Sequence, residues 1–437
     1  MKRVFSFALC LLGALQVFGQ GTHIKFEEYD LPNGLHVILY EDHSTPNVQV
    51  SVAYHVGGKN EVENRTGFAH FFEHLLFEGS ENIERGEFDQ LISSAGGTYN
   101  AYTTSDLTFY YDKIPAHQWK LGLWIESERM LHAKIQEVGV ETQRKVVKEE
   151  KAMRYAKPYG NFLDQLMERT YKFHPYSHTP IGSIEDLNRA TLDEFMEFYQ
   201  HYYVPNNATL VLAGDFNAKE AKKEIEAYFG DIPTGEHEIV RPTIQEPAQL
   251  TEIRDIVYDN ITLPGVFMGY RTPGIAAEDK AAVDLFVSIM ADGQSSRLHK
   301  ALVDEKQMAV HAALMNLDME YESNAIAYCI ANMGVNPADL EAGINAVFDE
   351  ALTNGIKAEE LEKAQNITEA AIINDLSKVE EISQILAKSY IFKGNTNAIN
   401  TELDEIRNVS LEDINRVAKK YFQKSNRVVL YYLPKGQ

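Results

Sequence analysis

The sequence predicts an α+β fold made of two homologous halves, each a mostly antiparallel sheet covered by helices in an α/β sandwich. Three observations carry this. First, the segment from Thr191, TLDEFMEFYQHYYVPNNATLVLAGD, lies without a gap over the segment from Ser410, SLEDINRVAKKYFQKSNRVVLYYLP, at an offset of 219, which sets Leu192 over Leu411, Tyr203 over Phe422 and Asn207 over Asn426. Second, strand-like segments and amphipathic helical segments alternate in both halves. Third, 437 residues exceed what one compact core accommodates, and a polar, proline-bearing stretch without periodicity lies near the middle.

Taken in order, residues 1–19 have the layout of a signal peptide. Lys2 and Arg3 precede the apolar run VFSFALCLLGALQVF, and Val17-Phe18-Gly19 offers a cleavage site before Gln20. That run is short for a transmembrane span, and Leu9 before Cys10 argues against a lipid anchor. Export to a periplasm or to the extracellular space follows. HVILYED and VQVSVAYHV then read as strands, FAHFFEHL as a helix, TFYYDKI as a strand and VETQRKVVKEEKAMRYA as a long helix. Each copy of the duplicated segment reads as helix, short polar turn and β-rich strand. PGVFMGYRTPG opens the second half as a strand, followed by a helix from Asp279. The expected organisation is therefore a signal peptide over 1–19, an N-terminal domain over 20–232, a linker over 233–252 and a homologous C-terminal domain over 253–437.

Composition narrows the function. Apolar content of 44% and charged content of 24% are those of a soluble globular protein. A formal charge of −23, more negative still without Lys2 and Arg3, repels phosphate backbones and anionic lipid. Nucleic-acid binding and stable membrane insertion are excluded on this reading. Of two cysteines, Cys10 leaves with the leader and Cys329, in AIAYCIANM, stays alone as a small core hydrophobe.

The chemistry is concentrated in His70-Phe71-Phe72-Glu73-His74. Histidines four apart on a helix share a face one turn apart, so both imidazoles reach one cation, and Glu73 sits beside it. Two histidines leave zinc short of a ligand. Glu150 is the candidate third, because its spacing from Val146, Val147 and Met153 sets it on an inward apolar stripe. Gln143, two turns earlier, is placed to orient a ligand from behind. His55, His174 and His178 lie off the helical face of His70 and read as structural.

HFFEH followed by Glu150 resembles the inverted HxxEH zinc peptidases, the family of pitrilysin, insulysin and the mitochondrial processing peptidase, in the single-length form of bacterial processing-peptidase-like subunits. The likeness runs through YHVGGKNE, TGFAHFFEHLLFEGS, GGTYNAYTTSDLTFYY, VVKEEK with KPYG, HPYSHTPIG, YVPNNATLVLAGDF and GQSSRL. It implies one zinc per chain held by His70, His74 and Glu150, with Glu73 as general base. It implies an edge strand in GGTYNAYTTSDLTFYY that receives an extended peptide substrate, with Asn100 and Ala101 near the cleaved bond. Many relatives carry glutamate where this chain has Gln143.

One part of the family pattern is missing. Self-sufficient relatives hold an Arg and a Tyr in a stretch like LR-x5-GY; here LVDEKQMAV puts Val303 and Val310 at those places, and neither donates a hydrogen bond. Loss of oxyanion donors costs ~10²–10³ in rate. The expectation is a heterodimer in which a zinc-less homologous subunit supplies the donors, with Tyr321 or Arg271 as the alternatives within the chain. A non-catalytic scaffold subunit of the same fold is the competing class, and a broken HxxEH would mark it. A closed zinc-binding module would need a fourth protein ligand, and the leader lacks the amphipathic, arginine-rich character of a mitochondrial transit peptide.

Overall fold

The structure, a computed structural model, describes residues 23–436. The signal peptide read over residues 1–19 lies outside the described residues. Two sheets are present, one built from β1 (Glu27–Asp30), β2 (His36–Glu41), β3 (Asn47–Tyr54), β4 (Thr98–Thr103), β5 (Thr108–Pro115) and β6 (Ala208–Gly214). Its order is β1-β2-β6-β3-β5-β4. The other comprises β7 (Ile253–Asp259), β8 (Gly265–Pro273), β9 (Ala309–Leu317), β10 (Glu322–Ala331) and β11 (Arg427–Pro434), in the order β7-β11-β8-β10-β9. Substituting β7, β11, β8, β10 and β9 for β2, β6, β3, β5 and β4 turns one order into the other, with β1 left as an extra strand at the margin of the first sheet. Even the single parallel pairing recurs, β2 with β6 and β7 with β11, while the other pairs are antiparallel.

The duplicated segment repeats atom for atom at its turns. Thr191 and Ser410 each start a helix with a capping box, accepting from the N–H of Glu194 (3.3 Å) and Asp413 (3.2 Å) respectively. At the far end Asn207 donates to the Tyr202 carbonyl (2.8 Å), and Asn426 to that of Tyr421 (2.7 Å). An amide side chain that holds the last turn of the helix directs the chain straight into β6 or β11.

Residues 233–252 form neither helix nor strand, and the sheets lie on either side of them in sequence. The helices ignore that division. Helix Phe162–Thr170 sets Leu166 and Phe162 against Phe267, Ile326, Val428 and Leu430 of the second sheet. In return helix Val379–Lys393 buries Ile382, Leu386 and Ala387 on Ile38, Ala53, Phe109 and Val211 of the first. At roughly 1.5–3 kcal/mol for each buried large aliphatic side chain, this exchange ties the halves firmly.

A charged cluster adds to the tie. Lys59 Nζ, fully buried, lies 3.0 Å from Asp106 Oδ1 and 2.6 Å from Glu320 Oε2, which His55 Nε2 also reaches at 2.7 Å. Asp106 accepts in addition from Tyr176 Oη (2.6 Å) and the Glu320 N–H (3.0 Å). Glu320 is the member that comes from the second half, so its carboxylate has the Lys59 ammonium and His55 beside it only while the halves are together. His55 is thereby structural, as are His174, whose Nδ1 accepts from the Tyr176 N–H, and His178, beside the Thr179 carbonyl. Cys329 is buried in the second core, and burial pushes its thiol up to about 12.

Candidate metal centre

The helix Phe68–Leu75 separates its faces cleanly. Phe71, Phe72, Leu75 and Leu76 are buried, with Phe71 stacked on Phe195 (4.6 Å between ring centroids) and Phe72 on Phe198 (5.6 Å). Tyr110 Oη donates to the Phe72 carbonyl (2.8 Å), pinning the helix to β5. His70, Glu73 and His74 are left on the opposite face, partly open to solvent. The phenylalanines therefore do not enclose the polar trio; they anchor the far side of its helix.

Helix Glu137–Ala156 brings Glu150 to this face. Its Oε2 lies 3.5 Å from His70 Nε2 and 3.4 Å from His74 Nε2, and the rings of the two histidines are 4.9 Å apart. The three ligand atoms all lie within 4.8 Å of one another, the one such His/Cys/Asp/Glu cluster among the described residues. Two imidazole nitrogens and one carboxylate oxygen, with no fourth protein donor, are the donor set of an open tetrahedral zinc site. Burial, then the neighbouring His74, pushes the His70 imidazole below its ordinary range, which favours the neutral form that binds a metal. The hydrogen bond with His74 holds the Glu150 carboxyl down and keeps it anionic.

The inward stripe expected around Glu150 is corrected. Val147 is buried, but Val146 is 40% exposed and Met153 64% exposed, and Glu150 itself is half-exposed. Glu150 reaches the histidines from the margin of its helix's buried face. Gln143 also differs from expectation: its amide donates to Glu78, one turn beyond His74, and makes no hydrogen bond to His70, His74 or Glu150. The seven-residue offset along an extended helix carries it past the cluster.

Glu73 points toward β4. Its Oε2 accepts from Thr103 Oγ1 at 2.6 Å, a contact that sequence reasoning missed although NAYTT was in view. The signal available was the alternation of the strand, which turns Ala101 and Thr103 to the helix and Tyr102 away toward Gln384. Burial raises the Glu73 carboxyl, and the Thr103 hydrogen bond opposes that rise. β4 forms the end of its sheet, Ala101 is buried in the first core, and the exposed Asn100 accepts from the Ala101 N–H (2.9 Å). A cavity of about 710 Å³ lies elsewhere, between the halves around Lys280, Lys388 and Glu402.

A profile described as Insulinase (Peptidase family M16) matches residues 36–183, and one described as Peptidase M16 inactive domain matches residues 189–368. This chain belongs to peptidase family M16. Among M16 relatives, the zinc protease PqqE of Helicobacter pylori is 29% identical over 99% of both chains, and an uncharacterized zinc protease of Mycobacterium leprae is 26% identical over 90% of this chain and 88% of its own. The crystal structure of a protease from Helicobacter pylori superposes with a TM-score of 0.90 at 28% identity, covering 94% of this chain and all of the other. The periplasmic protease PqqL of Escherichia coli shares the fold (TM-score 0.76, 19% identity), 94% of the M16 chain corresponding to 47% of that protein.

In the second half of this M16 chain, the structure places the two valines and the arginine named from the sequence as follows. Val303 packs against the second core and Val310 is 51% exposed on β9. Arg271 is buried, with Nη2 on the Pro247 carbonyl (2.7 Å) and Nη1 3.4 Å from Glu322, so its charge is already engaged. No helix of the described residues is long and apolar enough to cross a membrane.

Proposed function

We propose that this chain is the zinc-bearing subunit of a metalloendopeptidase that hydrolyses bonds in short or unfolded peptides, completed by a zinc-less homologous subunit. The observation that carries the reading is the convergence of His70 Nε2, His74 Nε2 and Glu150 Oε2 on one point, with Glu73 beside it and held by Thr103. One zinc ion bound there supplies Lewis acidity toward a scissile carbonyl and lowers the pKa of water. Glu73 receives the water proton on its carboxylate and delivers it to the leaving amine. Its environment suits that exchange: burial makes the carboxylate a stronger base, while Thr103 keeps one oxygen oriented. The substrate is an extended peptide that pairs with the free edge of β4, which sets its backbone next to Glu73 through the Thr103 contact.

A partner is supported from two directions. The chain offers valines where the family's Arg and Tyr stand, and the guanidinium of Arg271 is occupied. Beside Glu150, helix Glu137–Ala156 leaves Val138, Val146 and Met153 exposed, apolar side chains available to pack against another subunit. On this reading residues 1–19 direct export, and the mature subunit works in a periplasm or outside the cell as a zinc-bearing domain over 20–232 joined through 233–252 to a metal-free domain over 253–437.

The test is metal analysis of the purified chain together with peptide hydrolysis, alone and mixed with zinc-less homologues, with and without chelator. Stoichiometric zinc, chelator-sensitive cleavage and a rise of at least tenfold on adding the partner are expected. A chain that holds no zinc is a scaffold, and one that is fully active alone has no need of the partner.

A further inference from the structure

YHVGGKNE ends in a glutamate that the reaction does not use, yet its side chain is completely buried and in contact with the helix that carries His70 and His74. That helix begins in an unusual way. Its first flanking residue is Gly67, with φ of 96° and no side chain to cap the free N–H groups. Glu61 takes that part from six residues upstream: Oε2 accepts from the Gly67 N–H at 2.7 Å, Oε1 from the Ala69 N–H at 2.9 Å, and the Phe68 N–H faces the same carboxylate.

A carboxylate removed from water is costly unless donors surround it. Burial raises the Glu61 carboxyl to about 8, and the N–H donors of the first helix turn, with the positive end of the helix dipole, oppose that rise. The loop is held from two further sides. Thr66 is bound through its N–H (3.2 Å) and hydroxyl (2.6 Å) to Asp186, and His178 Nδ1 stands 3.7 Å behind Glu61 Oε2. A side chain at Gly67 would meet the Ile181 carbonyl at 3.0 Å, so the glycine that permits this entry cannot be exchanged for a residue that caps itself.

We infer that Glu61 is a positioning residue for the metal centre: it fixes the first turn of the histidine helix and thereby the direction in which His70, the third residue of that helix, presents its Nε2. The inference rests on the zinc reading above. His70 needs such help because its Nδ1 is buried without a hydrogen-bond partner among the described residues, so no hydrogen bond to the ring orients it from behind. Orientation comes through the backbone instead.

The experiment compares the full chain with Glu61→Ala and Glu61→Gln. Zinc affinity is read by competition with a chromophoric chelator, the visible spectrum of the Co²⁺-loaded protein reports ligand geometry, and circular dichroism checks the fold. Expected is a loss of zinc affinity of ~10–100-fold for Glu61→Ala, the size seen when groups that orient ligands are removed, with an altered Co²⁺ spectrum. Glu61→Gln, which keeps one acceptor oxygen, recovers part of the affinity. A folded Glu61→Ala chain that binds zinc within twofold of the parent overturns the inference; if that variant fails to fold, the same comparison on Glu61→Gln decides it. A parent chain without stoichiometric zinc overturns the metal reading itself, which keeps the two failures apart.

Discussion

Replacing Thr103 by valine removes one hydroxyl of nearly the same volume and leaves β4 its β-branched side chain. The lost contact is a 2.6 Å hydrogen bond to a carboxylate. Hydrogen bonds to charged groups contribute about 1.5–3 kcal/mol, and Glu73 is partly solvated, so the lower end applies. At 1.36 kcal/mol per factor of ten, the carboxylate form of Glu73 loses about one pH unit of stabilisation. The sign follows from the contact: Thr103 lowers the Glu73 carboxyl, so its removal adds to the rise that burial already causes. The acid limb of the kcat/KM profile should therefore move up by about one unit, and kcat should fall roughly tenfold from the lost orientation. The assay is hydrolysis of a quenched fluorescent peptide from pH 5 to 9, relative to the parent chain in the same mixture. Zinc content should be unchanged, because Thr103 touches no proposed ligand. An unshifted acid limb with normal kcat would refute the assignment of Thr103 and weaken that of Glu73 as the base.

Other outcomes test neighbouring steps. Glu73→Gln should keep zinc and lose at least ~10²-fold in kcat, since it cannot receive a proton. Glu150→Ala should lower zinc affinity by more than the ~10–100-fold typical of residues that only orient a ligand, as measured by chelator competition. Glu320, drawn down to about 2 despite its burial by the His55 hydrogen bond and the Lys59 ammonium, has a folded pKa below its unfolded value near 4.3. Its contribution, about 3 kcal/mol, is fully present above pH ~4.3 and disappears as pH falls toward 2. Thermal melts over that window should fall more steeply for the parent than for Glu320→Gln, and parallel curves would count against the clamp. Cys329 should resist alkylation by iodoacetamide in the folded chain and react after denaturation, as read by peptide mass mapping.

The sequence determined a good deal unaided. Periodicity of two and of 3.6 located β2, β3, β5, β6, β8 and β11 and the histidine helix, because side-chain direction within one element depends only on local spacing. The 219-residue offset exposed the duplication, and Thr191 with Glu194 and Ser410 with Asp413 spell their helix starts within four residues. His70 and His74 share a face for the same local reason. Contacts between elements were another matter. Glu150 was chosen for a stripe whose Val146 and Met153 turn out to be exposed, and its meeting with His70 and His74 depends on how two helices cross. Gln143 lies on the expected helix but reaches Glu78. Thr103 and Glu61 carry no motif that announces a partner 30 or eight residues away, since a hydrogen bond across loops depends on packing that no spacing rule encodes. The exchange of helices Phe162–Thr170 and Val379–Lys393 between the two sheets belongs to the same class: each is amphipathic in sequence, and only the tertiary structure decides whose apolar face it covers.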